Sequence, residues 1–339
     1  MTRNIVFKIT DYIERDLAWE EEQCRELGAQ LSYYQLKDAS PAEIIDAVGD
    51  ADIVLVNMAK MTAEVMAGLR NVKVILRHGI GYDNIDVGDA TGNGIVFANE
   101  ATASSVDVAE QAIFLMFAVF RKINIQREIL EDAIGREQYD FSKIYPMYRM
   151  EGKTLGIVGC GNIGSLVLRK MQSFGMKGLV VADPYLSKDR LGELDITPIP
   201  FDEVLGQSDI VTIHLPLTEE TKGLFDMSRF RLMKRSAILI NTSRGPVVRT
   251  PDLIWALREG IIAGAGLDVL DPEPPSPGCE LLTMKNVVLT PHLAWYTEEA
   301  GWDIRRLIMN DLRAFLSGKP PRFVVNPEVF KSTKLRFRK

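Results

Sequence analysis

Short β-branched runs alternate with helical patterns along almost the whole chain, and they do so in two series. The first series reads NIVFKI, a helix around Leu17 to Leu27, QLSYYQ, PAEIIDAV, ADIVLV, TAEVMAGL, VKVILR and IVFAN. The second restarts at Gly152 with TLGIVG, GLVVAD, DIVTIH, AILINT, GAGLDV and NVVLT as strands, separated by helical stretches such as Ile163 to Phe174 and Pro251 to Glu259. Strands and helices that alternate in this way build parallel sheets with helices on both faces, because each parallel crossover needs a dozen or more residues. The expected fold is therefore α/β, two doubly wound parallel-sheet domains with a cleft between them. A length of 339 residues exceeds what one hydrophobic core serves, which agrees with two domains.

Ala101 to Arg121 reads as one long, apolar helical pattern, a candidate hinge buried between the domains. After Thr297 the stretch EEAGWDIRRLIMNDLRAFLSG is a single amphipathic helix with Gly318 as its stop signal. A closing helix of this kind packs back on the first unit and makes that domain discontinuous. The expected boundaries are residues 1–100 plus 298–339 for one domain and residues 101–297 for the other. Lys122 to Met150, rich in charge and aromatics, fits neither series and reads either as a surface excursion or as an arm against a second subunit. The basic tail KSTKLRFRK reads as a solvated, mobile terminus.

A composition of 46% hydrophobic and 25% charged residues is that of an ordinary globular protein, and the net charge of −6 gives no electrostatic footprint for nucleic acid. The longest apolar run, IFLMFAVF, is far too short to cross a bilayer, so no membrane partner is expected. Cys24, Cys160 and Cys279 are odd in number and widely spaced, forming neither a disulfide framework nor a metal-ligand set. With an N-terminus that turns acidic too early for a signal peptide, a reducing, cytoplasmic setting is expected.

Gly159, Gly161 and Gly164 form G-C-G-N-I-G, a spacing that means little alone. Here it follows a strand, opens a helix, and is followed by a second strand ending at Asp183. Glycines let the backbone approach a pyrophosphate, a helix N-terminus stabilises its charge, and the carboxylate accepts from a ribose 2′-hydroxyl while repelling a 2′-phosphate. The expected cofactor is NAD, although Lys188 and Arg190 lie nearby. Cys160, inside the loop, reads as a small apolar filler.

The other polar outliers fall at strand ends. His214 ends DIVTIH, Arg244 follows AILINTS, Asp268 ends GAGLD and His292 follows VVLTP. In open α/β sheets that carboxyl edge binds ligands. In the first series Arg77 and His78 end VKVIL and precede the turn GIGYDN.

These residues, taken with their surroundings, resemble the D-isomer-specific 2-hydroxyacid dehydrogenases. The matching motifs are HGIGYDNID at His78 to Asp86, GKTLGIVGCGNIG at Gly152 to Gly164, VAD at Val181 to Asp183 and HLPLTEET at His214 to Thr221. They continue with LINTSRG at Leu239 to Gly245, AGLDVLDPEPP at Ala265 to Pro275 and TPHLAWYTEEA at Thr290 to Ala300. They cover nearly the whole chain in order. The resemblance implies a Rossmann NAD-binding domain, a flavodoxin-like substrate domain, and an NAD-dependent oxidoreductase that interconverts a 2-oxo acid and its D-2-hydroxy acid.

By that resemblance Arg244 grips the substrate carboxylate, His292 is the acid and base, and Glu273 orients the imidazole. Cofactor contacts would come from Gly159, Gly161, Asn162, Ile163, Gly164, Asp183, His214, Leu215, Pro216, Thr221, Thr242, Ser243, Asp268 and His292. Substrate contacts would come from Arg77, His78, Gly79, Ile80, Arg244 and Trp295. No metal is needed, and the family usually forms homodimers, which would occupy residues 122–150.

Some positions depart from the family. The A-W-Y variant at Ala294 to Tyr296 is similar to the branch of C-terminal-binding-protein corepressors and to D-lactate dehydrogenases, and Trp295 either walls the substrate pocket or sits as a structural residue. After the third strand, Asn57 and Met58 replace the charge that phosphoglycerate dehydrogenases use for phosphate, leaving Lys60. Glu273 stands where formate dehydrogenases have glutamine. A rival reading, from the corepressor resemblance, is an NAD(H)-sensing binding protein with residual dehydrogenase activity; the trio Arg244, Glu273 and His292 favours the enzyme.

Overall fold

The structure is a computed structural model that describes residues 5–136 and 138–337. Two compact units are present, Met1–Ser104 with Thr297–Lys339, and Ser105–Tyr296.

The first unit alternates strands and helices. Its strands are β1 (Ile5–Ile9), β2 (Ala29–Tyr33), β3 (Ile53–Val56), β4 (Val74–Arg77) and β5 (Val96–Asn99). Its helices are α1 (Ala18–Leu27), α2 (Pro41–Val48), α3 (Ala63–Gly68) and α4 (Val87–Gly92). All strand pairs are parallel, in the order β2-β1-β3-β4-β5. The central strand β3 and the end strand β5 are both buried at every position, which is why IVLV and VFAN read as largely apolar runs with no alternation. Helix starts follow local chemistry: at α2, Ser40 and Glu43 form a reciprocal capping box with Pro41 in the first turn. The amphipathic helix Glu298–Leu316 belongs to this unit and is capped by Thr297, whose side chain accepts from Ala300 N.

The tail does not follow the sequence expectation of a solvated, mobile end. Arg336 N donates to Gly94 O at 2.9 Å, its guanidinium donates to Leu69 O, and Phe337 packs edge-on against Phe315 and Phe330. Two aromatic rings and a chain of backbone bonds outweigh the solvation of a few charges. Arg338 and Lys339 lie outside the described residues.

The second unit opens with α5 (Ser105–Phe120) and α6 (Ile123–Asp132). It continues β6 (Thr154–Val158), α7 (Asn162–Met171), β7 (Gly178–Ala182), α8 (Lys188–Leu194), α9 (Phe201–Gln207) and β8 (Ile210–Ile213). Next come α10 (Met227–Phe230), β9 (Ile238–Asn241), α11 (Thr250–Arg258), β10 (Gly264–Leu267) and β11 (Val287–Leu289). The sheet is parallel, in the order β11-β10-β9-β8-β6-β7. The α5 helix starts four residues later than the apolar pattern suggests, because Ala101–Ser104 form turns with Ala103 N bonded to Glu100 O. Threonine and serine favour such local turns over a helix interior. Against the sheet, α5 sets Leu115 and Val119 close to Gly266, where any added Cβ would meet both at 3.0–3.2 Å.

Residues 122–150 contain α6 and a single 3-10 turn, Phe141–Ile144, and carry several exposed large side chains, Ile134 at 81% and Tyr145 at 73% exposure among them. Among the described residues no helix is long and apolar enough to cross a membrane.

Candidate active site

The glycine loop lies between β6 and α7. Because β6 is flanked by β8 and β7, the winding of the sheet reverses beside it, and that is where open α/β sheets take ligands. Two of the glycines are required by backbone contact. Gly159 has φ +87, and a Cβ there would lie 2.5 Å from His214 O; a Cβ on Gly164 would lie 2.1 Å from Gly159 O. Gly161 differs, since a Cβ there would meet nothing within 4 Å, and as N-cap of α7 it supplies no side-chain cap. The helix therefore begins under open space with first-turn N–H groups that have no intrahelical acceptor. Asn162, Ile163 and Gly164 are the first three residues of α7. At the end of β9, Thr242 is buried and its Oγ1 has no hydrogen-bond partner. An open anion cradle and an orphaned buried hydroxyl on the same sheet edge fit a dinucleotide.

Asp183 is pinned beside this loop. Its carboxylate accepts from Cys160 N at 2.8 Å and from Tyr185 N at 2.9 Å. Arg190, the cation that could have welcomed a 2′-phosphate, is instead bonded to Ser165 Oγ at 2.8 Å and paired with Glu193 at 2.9 Å. Burial pushes the Cys160 thiol up to about 11, so it stays protonated as a filler.

His214 directly follows β8, with its N–H on Val158 O and its Nε2 at 3.0 Å from Thr212 Oγ1. Desolvation holds its imidazole down at about 3, so it is neutral and cannot act as a cation. Leu215 packs close to Gly159, and the turn after it is closed by Thr221, whose hydroxyl donates to Pro216 O at 2.6 Å and accepts from Thr218 N at 2.8 Å. That hydroxyl therefore serves the turn.

Two loops bring a histidine and a carboxylate together. His292 Nδ1 lies 2.5 Å from Glu273 Oε1, with both side chains 39% exposed. Glu273 Oε2 also accepts from Leu270 N at 3.3 Å. Burial acts to raise the Glu273 pKa, but the His292 hydrogen bond and charge, the Leu270 N–H and the Arg244 charge outweigh it, leaving the carboxyl below its ordinary value. One carboxylate thus senses both the imidazole and the guanidinium.

Arg244 is placed by the turn after β9. Asn241 Nδ2 donates to Arg244 O at 2.9 Å, and its Oδ1 accepts from Ser243 N at 3.0 Å and Ser243 Oγ at 2.8 Å. Gly245 allows the turn to touch the Glu273 loop, since a Cβ there would lie 1.9 Å from Leu270 O.

Asp268 organises the histidine loop. Its Oδ1 accepts from Thr290 Oγ1 at 2.5 Å and Leu293 N at 3.1 Å, and its Oδ2 accepts from Ala294 N at 2.9 Å. His292 N donates to Asp268 O at 2.7 Å. These bonds hold His292 at φ +54, a left-handed conformation that costs a residue with a Cβ about 1–3 kcal/mol and persists only when overdetermined. Behind the loop, Gln111 of α5 donates to Thr290 Oγ1 at 3.1 Å. Trp295 follows, half-buried and edge-on to Tyr296 at 5.2 Å.

In the first unit, Arg77 ends β4 and its Nη1 donates to Asn57 Oδ1 at 3.3 Å and to His78 O. His78 Nε2 lies 2.6 Å from Glu14 Oε1 in a pair only 7% and 15% exposed. Burial acts to raise Glu14, yet the His78 bond and charge carry it down to about 2. That ring nitrogen is therefore held by a carboxylate. Gly79 adopts φ +120, and Ile80 O accepts from Asn99 Nδ2 at 2.6 Å.

Sequence reasoning did not single out the supporting residues Glu14, Gln111, Asn241 and Thr290. Asn241 acts within its own turn, on Ser243 and Arg244, while the others act through contacts between distant segments that no local pattern announces.

Comparison with known proteins agrees with this geometry. Residues 113–294 match the family model described as D-isomer specific 2-hydroxyacid dehydrogenase, NAD binding domain. Over 331 residues the chain is 37% identical to the glyoxylate reductase of Korarchaeum cryptofilum, covering 96% of this chain and 93% of that one. It is 38% identical to the D-3-phosphoglycerate dehydrogenase of Archaeoglobus fulgidus over 81% of its own length, but spans only about half, 51%, of that longer protein. Its fold is similar to that of a D-lactate dehydrogenase from Aquifex aeolicus complexed with NAD and lactic acid, with a TM-score of 0.80, 27% identity, and coverage of 92% of this chain and 96% of that one. The rival reading as a dinucleotide-sensing corepressor finds no support among these relatives. Glycine cradle, histidine–carboxylate pair and sequence kinship converge, and the chain belongs to the D-isomer specific 2-hydroxyacid dehydrogenases.

Proposed function

We propose that this chain interconverts a 2-oxo acid and its D-2-hydroxy acid with NAD as cofactor. The observation that carries the reading is the Glu273 carboxylate, bonded to His292 Nδ1 and favoured by the charge of Arg244. With Nδ1 held by Glu273, the imidazole is left with Nε2 to exchange a proton. Arg244 grips the substrate carboxylate through its planar fork and polarises the adjacent carbonyl. His292 Nε2–H then donates to the carbonyl oxygen as carbon 2 is reduced, and takes the proton back in the oxidative direction. NADH, when bound, would supply the hydride; Gly159 to Gly164 would hold its pyrophosphate, Asp183 its ribose, and Thr242, whose Oγ1 is unpartnered in the protein alone, would contribute a hydroxyl beside them.

Trp295 contributes an apolar wall. The exposed apolar side chains of residues 122–150 support a homodimer through that segment, and buried, unpaired Cys24 and Cys160 suit a cytoplasmic setting.

The test is to mix the protein with NADH and 2-oxo acids of graded side-chain size and follow loss of reduced-nicotinamide absorbance. Turnover of at least one acid to the D product is expected. No turnover of any, with NADH bound, contradicts the reading.

A further inference from the structure

On α7 and α8 a carboxylate and two guanidiniums form a clamp beside the glycine loop. Glu193 stands on α8 and divides its oxygens between two cations: Oε1 accepts from Arg169 Nη2 at 2.5 Å, and Oε2 accepts from Arg190 Nη1 at 2.9 Å. Arg169 lies on α7, whose first turn carries Ser165, and Ser165 Oγ accepts from Arg190 Nη2 at 2.8 Å. Arg169 thus anchors the carboxylate, and the carboxylate with Ser165 occupies both arms of the Arg190 fork.

The clamp adjoins the group that reads the ribose. Cys160, inside the glycine loop, gives its N–H to Asp183 at 2.8 Å. The Cys160 thiol also lies near enough to Arg190 and Arg169 for both charges to act on it, against the burial and the Asp183 charge that raise it. Asp183 and two cations therefore converge on one residue of the loop. A guanidinium in such a neighbourhood is what dinucleotide-binding domains use to accept a 2′-phosphate. Here its donors are engaged within the protein.

The hold is weak in energy, which makes it reversible. Glu193 is half-exposed, and an exposed ion pair strengthens association by no more than about fivefold. A 2′-phosphate, with close to about two negative charges, would attract a released Arg190 strongly and would be repelled by the Glu193 carboxylate itself. Glu193 opposes such a phosphate twice, by holding the cation and by its own charge, and its removal lifts both effects.

We propose that Glu193 sets the cofactor choice of this chain by holding Arg190 off the adenosine ribose, so that a 2′-phosphate site lies latent between α7 and α8. The inference rests on the NAD reading above. Glu193 is a positioning residue, acting through Arg190.

The experiment titrates NADH and NADPH into the natural protein, Glu193→Ala, and Glu193→Ala combined with Arg190→Ala, reading Kd from nicotinamide fluorescence without any turnover. Alanine suits an exposed helix position, and thermal melting confirms that each variant is folded. The natural protein is expected to bind NADH at least about 10-fold more tightly than NADPH. In Glu193→Ala the Kd for NADPH is expected to fall about 5- to 20-fold while that for NADH stays within about twofold. The gain is expected to shrink as salt is raised and to vanish in the double variant. A natural protein with equal affinity for both nucleotides, an unchanged NADPH affinity in folded Glu193→Ala, an equal shift for both nucleotides, or a gain that survives the loss of Arg190 overturns the inference while leaving the dehydrogenase reading intact. A natural protein that binds neither nucleotide overturns both.

Discussion

Glu273 Oε1 and His292 Nδ1 stand 2.5 Å apart although nineteen residues separate them, and each is delivered by a loop that other contacts hold in place. The histidine loop hangs from the two carboxylate oxygens of Asp268. The glutamate loop is pressed against the Arg244 turn through Gly245.

The pair has a definite pH window. Glu273 lies below its ordinary 4.5 because the His292 bond and the neighbouring charges outweigh burial. A depressed carboxyl pKa contributes stability that is present above 4.5 and lost as pH falls through the folded value. Glu273 therefore stays ionised across the neutral range. A kcat/KM profile should show no acid limb from Glu273 above pH 4.5, and Glu273→Gln should lower kcat for NADH oxidation about 10- to 100-fold. A variant as active as the natural protein at every pH would contradict this role.

Gly245→Ala tests the close approach that places Arg244. Its new Cβ would meet Leu270 O at 1.9 Å, so the turn and the Glu273 loop must separate. Overpacking of this kind costs about 1–3 kcal/mol, and a displacement near 1 Å lowers turnover about 100-fold. Urea unfolding and NADH oxidation measure the two effects. Unchanged values of both would show that the two loops are not mechanically joined.

Glu100 makes the stability of the first unit depend on pH. It is 1% exposed, Oε2 accepts no hydrogen bond, and Arg322 Nη2 stands 3.7 Å away. Burial first, and the charge of Asp311 second, push the carboxyl up to about 8 against the opposing effect of Arg322. Raised above 4.5, it contributes stability that is full below that pH and is lost as pH rises through about 8. Urea unfolding of Glu100→Gln should show a shallower decline between pH 5 and 9 than the natural protein. Identical slopes would remove the claim.

The sequence was most informative where periodicity and punctuation act locally. Among the described residues the eleven strands stand on the short runs read as strands, and the glycine loop follows its strand as its spacing implies. Local reading was weaker where tertiary contacts decide. The apolar run from Ala101 forms a helix only from Ser105, and a basic tail that reads as mobile is docked by Arg336 and Phe337. Arg244, Glu273 and His292 stand in motifs legible in the sequence, whereas the bonds that hold their loops, made by Asn241, Asp268 and Thr290, are visible only in three dimensions.

The central claim is that His292 moves the proton while Glu273 and Arg244 flank it, and kcat for NADH oxidation by His292→Asn, measured beside NADH affinity, tests it most directly. The account predicts that kcat on the best 2-oxo acid falls about 10²- to 10⁴-fold while the Kd for NADH stays within about threefold. A His292→Asn protein that keeps the natural kcat would contradict it.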